Sequence, residues 1–116
     1  MTYYQSKFRA TRRKMGNIPS EYSGILYHSK READYAHQLD LEKCGKLIKD
    51  WERQVRFSLD VNGIHICNVI VDFVITYRDG RKEIREVKGF ATDVWRMKWK
   101  LLEALYGDEY EMKVIK

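Results

Sequence analysis

The segment VIVDFVITY, Val69 to Tyr77, is apolar at odd and even positions alike, and its one interruption is Asp72. A run with no polar side reads as a central strand covered on both faces. On its N-terminal side WERQVRFSLDV, Trp51 to Val61, alternates as a half-buried strand does, Asn62-Gly63 is a two-residue hairpin signal, and a second strand begins at Ile64. Asp79-Gly80 turns the chain into a strand from Arg81 to Lys88, which Gly89 ends. Two helices bracket these strands. Ser29-Lys-Arg-Glu32 matches the S-x-x-E capping box of a helix running to about Lys43, with Ala33, Ala36 and Leu39 as its inward stripe and Gly45 as its stop. Thr92 or Asp93 caps a second helix from Val94 to Tyr106, and Tyr110 to Ile115 forms a last strand. Residues 1 to 23 hold the lone proline, Pro19, and a basic cluster, and are expected to form an arm with little regular structure. The predicted fold class is α/β (α+β): a single domain over residues 24–116, order α-β-β-β-α-β, with a mixed central sheet flanked by helices.

Composition narrows the classes. At 116 residues the chain suits one modest core, and 44% hydrophobic against 34% charged residues is globular rather than disordered. No apolar run reaches the length of a membrane span, and MTYYQSKFRATRRK has no signal-peptide core, so a cytoplasmic address without membrane contact is expected. Cys44 and Cys67 form no CxxC pair and read as free thiols. The net charge of +5 favours polyanionic partners. Lys7, Arg9, Arg12, Arg13 and Lys14 all precede the first acidic residue, Glu21, and suit phosphate contact that does not read base sequence; the alternative is a solvated arm.

Asp72 sets the chemical question, because a carboxylate buried without a partner costs several kcal/mol. The loop length decides what it meets. A two-residue Asp79-Gly80 loop sets Val87 opposite Asp72, whereas a three-residue loop with Gly80 in the left-handed conformation pairs Tyr77 with Arg81, Val74 with Ile84 and Asp72 with Glu86. Asp72, Glu86 and Lys88 then share one face. Two carboxylates so close raise one another's pKa or hold a cation between them, and Mg²⁺, with Mn²⁺ as the alternative, fits a hard-oxygen site whose waters can act as nucleophile. Lys88 can polarise that water and oppose charge on a phosphate, or it can simply neutralise the two acids in a salt bridge. Glu32 is at once the capping-box residue and, on the edge of the inward helix face, a candidate third carboxylate.

With these pieces the chain resembles the PD-(D/E)xK nuclease superfamily, and more closely small phage proteins related to Holliday junction resolvases and phage endonuclease I. The segments that carry the resemblance are G-I-L-Y-H-S-K-R-E-A with Glu32, W-E-R-Q-V-R-F with Gln54, V-D-F with Asp72, E-V-K-G-F with Glu86 and Lys88, and T-D-V-W-R-M-K-W-K with Lys98. Val71 stands where the proline that names the motif would be. The resemblance implies a restriction-endonuclease-like mixed sheet, metal ligation by Asp72, Glu86 and the backbone carbonyl of Val87, a catalytic lysine at Lys88 and a first-helix carboxylate at Glu32. It also implies a phage-type DNA endonuclease that acts as a homodimer on branched DNA. A non-catalytic DNA-binding or assembly module on the same fold is the alternative, as is a nuclease for nicked, single-stranded or duplex DNA.

The remaining candidates each carry two readings. Lys30, Gln54 and Lys98 are candidate DNA contacts, or else ordinary exposed residues. Trp95 and Trp99, continued by Leu102 and Tyr106, make a helical stripe that favours packing over base stacking. His28, His37 and His65 lack zinc-ligand spacing, and no Ser-His-Asp, phosphate-loop or dinucleotide motif occurs.

Overall fold

The computed structural model describes residues 20–116, in two compact units, Met1–Gly45 and Lys46–Lys116. In the first, β1 (Ser20–Tyr22) and β2 (Ile25–Tyr27) form a hairpin followed by α1 (Lys30–Cys44). Ser20–Tyr22 falls in the stretch expected to be irregular. Its turn explains why: Ser23 (φ 52°) and Gly24 (φ 77°) both take the left-handed conformation, the geometry that joins two twisted strands through two residues. Serine in the first of those places is a weak signal. α1 follows its expectation: the Ser29 hydroxyl accepts from the Glu32 amide at 3.2 Å, the Gly45 amide donates to the Leu41 carbonyl at 2.9 Å, and Ala33, Ala36 and Leu39 are buried.

The second unit is built on β3 (Asp50–Val61), β4 (Ile64–Thr76), β5 (Lys82–Val87), α2 (Asp93–Tyr106) and β6 (Glu111–Ile115). The sheet order is β3-β4-β5-β6, antiparallel throughout except for the parallel β5-β6 pair, which α2 connects. The described residues thus form a mixed α+β structure with one four-stranded mixed sheet and two helices. Asn62 (φ 53°) and Gly63 (φ 80°) make the predicted turn, and the strand expected to start at Ile64 and the central strand from Val69 are one 13-residue element. Val71 to Ile75 are buried without interruption, as a strand covered on both faces requires.

Phe57, Leu59, Val71, Val74 and Ile84 pack with Leu102 of α2, and Trp99, Leu101, Tyr106, Tyr110 and Met112 close around them. Phe57 lies edge to face with Tyr106 and Tyr110, at 5.0 and 5.2 Å, and the Tyr106 hydroxyl donates to the Ser58 carbonyl at 2.8 Å. α2 starts where the Thr92 hydroxyl accepts from the Trp95 amide at 3.1 Å. By strand alternation Phe73 and Ile75 lie on the face away from Val74, as Glu83 and Arg85 do from Ile84, and all four are also buried. There Glu83 takes Arg85 Nε at 2.8 Å and the Tyr77 hydroxyl at 2.6 Å, and Arg85 donates to that hydroxyl at 3.1 Å. The ion pair makes two buried charges tolerable between Phe73 and Ile75.

Candidate active site: a buried carboxylate pair

The β4–β5 register is the one that the three-residue loop sets. The Tyr77 amide donates to the Arg81 carbonyl at 2.8 Å, Gly80 has φ 96°, and Val74 faces Ile84 with Phe73 facing Arg85. One step beyond Phe73 and Arg85 the regular ladder stops and side chains take over. The Asp72 amide donates to Glu86 Oε1 at 3.0 Å, and the Val87 amide donates to Asp72 Oδ2 at 2.9 Å. Each carboxylate therefore binds the backbone of the other's strand.

The reason lies on the third strand. In the β3–β4 ladder Arg53 pairs with Phe73 and Val55 with Val71, but Gln54 and Asp72 between them form no pair. Gln54 sits mid-strand at φ 55°, a conformation that costs a non-glycine residue about 1 kcal/mol or more. This break withdraws Gln54 from the ladder opposite Asp72, and the Asp72 amide is satisfied by Glu86 instead. The β4–β5 register brings the two acids together, and the break at Gln54 leaves the Asp72 amide to Glu86.

Both acids are buried, Asp72 at 8% exposure and Glu86 at 7%. Burial pushes the Asp72 carboxyl up to about 6, against the opposing pull of the Val87 amide, the Lys88 ammonium and the Arg53 guanidinium. Burial, and then the charge of Asp72, pushes Glu86 up to about 8, with Lys88 and the Trp95 indole pulling the other way. Lys88 feels both acids but forms no direct ion pair with either among the described residues; its Nζ lies 5.0 Å from the centre of the Trp95 ring. The closed salt bridge considered for Lys88 is therefore not what forms. Asp72 Oδ1 accepts no hydrogen bond among the described residues, so one oxygen of the pair is left for another partner.

The donor set suits a hard divalent cation. The two facing carboxylates offer only oxygen, and the other coordination positions would go to water, as Mg²⁺ prefers. Among the described residues no cluster of three or more His, Cys, Asp or Glu side chains forms. Glu32 belongs to the unit Met1–Gly45, where it is buried in the first turn of α1 beside its cap.

Of the DNA-contact candidates, Lys30 belongs to the first unit and Gln54 and Lys98 to the second. Lys30 is exposed and paired with Asp34 at 2.8 Å. Gln54 and Lys98 are half-buried, Lys98 one turn along α2 from Trp95, while Lys7, Arg9, Arg12, Arg13 and Lys14 lie outside the described residues. Two residues near the pair were not anticipated there. Arg53 acts on Asp72 through its charge, and Trp95, expected only to pack, donates Nε1–H to Glu86 Oε2 at 3.3 Å. Its packing role holds as well: Trp95 stacks on Trp99 at 5.3 Å and 20°.

Fold and site together define a mixed-sheet α+β domain with an acidic pair at the break of its central ladder. The chain belongs to the family described as "Protein of unknown function (DUF1064)", whose model matches residues 5–116. No curated protein and no solved structure matches it. No helix among the described residues is long and apolar enough to cross a membrane.

Proposed function

We propose that this protein is a divalent-cation-dependent endonuclease that hydrolyses phosphodiester bonds in DNA, acting on branched DNA as a homodimer. The observation that carries the reading is the pair itself. Asp72 and Glu86 are buried face to face, each held by the other's strand, with a lysine two residues on whose ammonium acts on both but pairs with neither. Without a cation this arrangement is electrostatically costly, and a purely structural role would be served better by a closed ion pair such as Glu83–Arg85.

Asp72, Glu86 and the Val87 carbonyl would hold Mg²⁺, or Mn²⁺ in its place. When bound, the cation supplies neutralisation of phosphate charge and a water of lowered pKa. Lys88 contributes a positive charge aimed at the same region, able to orient that water and to offset charge growing on the phosphate. Lys98 and the N-terminal basic cluster would contact flanking phosphates, giving affinity that falls with salt. The substrate is tested with the purified chain on four-way junction, flap, single-stranded and linear duplex DNA, with Mg²⁺ or with EDTA. Mg²⁺-dependent cutting strongest on the junction supports the full reading; cutting of other forms alone retains the nuclease and removes the junction preference. No cutting of any form under any divalent cation removes both, in favour of a DNA-binding module.

A further inference from the structure

The Trp95 side chain contacts both Glu86 and Lys88. Its indole N–H reaches Glu86 Oε2 at 3.3 Å, the oxygen opposite the one that binds the Asp72 amide, so Glu86 is held at both ends. Its ring face lies 5.0 Å from Lys88 Nζ, at the distance where an ammonium is attracted by the ring electrons. The ring is fixed from behind by Trp99, stacked at 5.3 Å, and from the backbone by the Thr92 cap on the Trp95 amide. A packing role alone would need no N–H aimed at a carboxylate, nor an ammonium over the ring.

We infer that Trp95 is a positioning residue that clamps Glu86 in the orientation needed for cation binding and holds Lys88 off the two carboxylates. This rests on the cation-centre reading of the pair. The physical logic has two parts. A carboxylate with both oxygens hydrogen-bonded loses less freedom on binding a cation, and such outer contacts are typically worth about 10–100-fold in metal affinity. An ammonium free to settle between Asp72 and Glu86 would compete with the cation for the same oxygens, and the ring offers it another place to rest.

The two parts separate by substitution. Trp95→Phe keeps an aromatic face for Lys88 and removes the N–H; Trp95→Leu removes both. The test is Mn²⁺ binding to the full chain, followed by loss of the free-ion magnetic resonance signal, with urea stability measured alongside. Wild type is expected to bind Mn²⁺, W95F about 10-fold or more weakly, and W95L more weakly still. Adding K88A to W95L is expected to recover the difference between W95L and W95F. Affinities are compared only for variants shown to be folded by their urea transitions, so a packing defect registers as lost stability and not as weaker binding. If wild type binds Mn²⁺ and W95F binds equally well, the clamp is overturned while the cation centre stands. If wild type binds no Mn²⁺, the cation centre falls and the clamp falls with it.

Discussion

Replacing Asp72 by Asn is expected to stabilise the cation-free protein at alkaline pH. The Asn amide oxygen can still accept from the Val87 amide, where Asp72 Oδ2 now does at 2.9 Å, and its NH₂ takes the place of an oxygen with no hydrogen bond among the described residues. What disappears is one of two buried, facing charges. In the unfolded chain Asp72 and Glu86 titrate near 3.8 and 4.5; in the fold they are pushed to about 6 and about 8. A folded-state pKa above the unfolded one contributes stability that is complete below the unfolded value and is lost as pH rises through the folded value. At about 1.4 kcal/mol per tenfold change in proton affinity, the part of this ionisation that falls between pH 5 and pH 8.5 costs the fold on the order of 5 kcal/mol, a large share of a typical domain's total. Wild type in EDTA should therefore lose stability steadily between pH 5 and pH 8.5, and D72N should lose less than half as much, because Glu86 then faces no charge from Asp72. At pH 8 D72N should exceed wild type by about 2 kcal/mol, and near pH 5 the two should agree within about 1 kcal/mol. Urea unfolding followed by tryptophan fluorescence at each pH reads this directly. A flat wild-type profile, or a D72N profile parallel to wild type, refutes the reasoning about the pair.

Two further substitutions probe what surrounds the pair. Gln54→Gly should raise urea stability by about 1 kcal/mol, since glycine takes a positive φ without strain, whereas the β-branched Gln54→Val should lower it; equal stability of all three would mean that the conformation at Gln54 is not strained. Arg85→Ala leaves Glu83 buried without its cation and should cost about 3–5 kcal/mol in urea unfolding. The double change Glu83→Leu with Arg85→Met should regain most of it, and a loss of under about 1 kcal/mol for R85A would contradict the buried ion pair.

Turn chemistry made much of the second unit legible in the sequence. Asp79-Gly80 narrowed the β4–β5 register to two alignments, and only the three-residue loop gives the buried Asp72 a facing partner in Glu86, which is the alignment found. Asn62-Gly63, the Ser29 and Thr92 caps and the two-sided apolar run around Asp72 were equally direct. The features that shape the site were hidden for identifiable reasons. Glutamine has no preference for positive φ, so nothing in WERQVRF marks the ladder break at Gln54. A tryptophan in a regular apolar stripe looks the same whether its N–H is idle or bound to Glu86. Charged Glu83 and Arg85 look solvent-facing in KEIREV because their mutual pairing, rather than their polarity, is what allows burial. Ser23-Gly24 was missed because serine seldom opens a turn of that type.

The central claim is that Asp72, Glu86 and Lys88 perform phosphodiester hydrolysis with a divalent cation. The most direct test is one labelled four-way junction offered to wild type, Glu86→Ala and Lys88→Ala, with binding measured in EDTA and cleavage measured after Mg²⁺ is added. Wild type should cut. Both variants should bind with nearly wild-type affinity and cut at least about 100-fold more slowly, the scale set by loss of a charge-stabilising group. Cleavage undiminished in both variants would contradict the assignment.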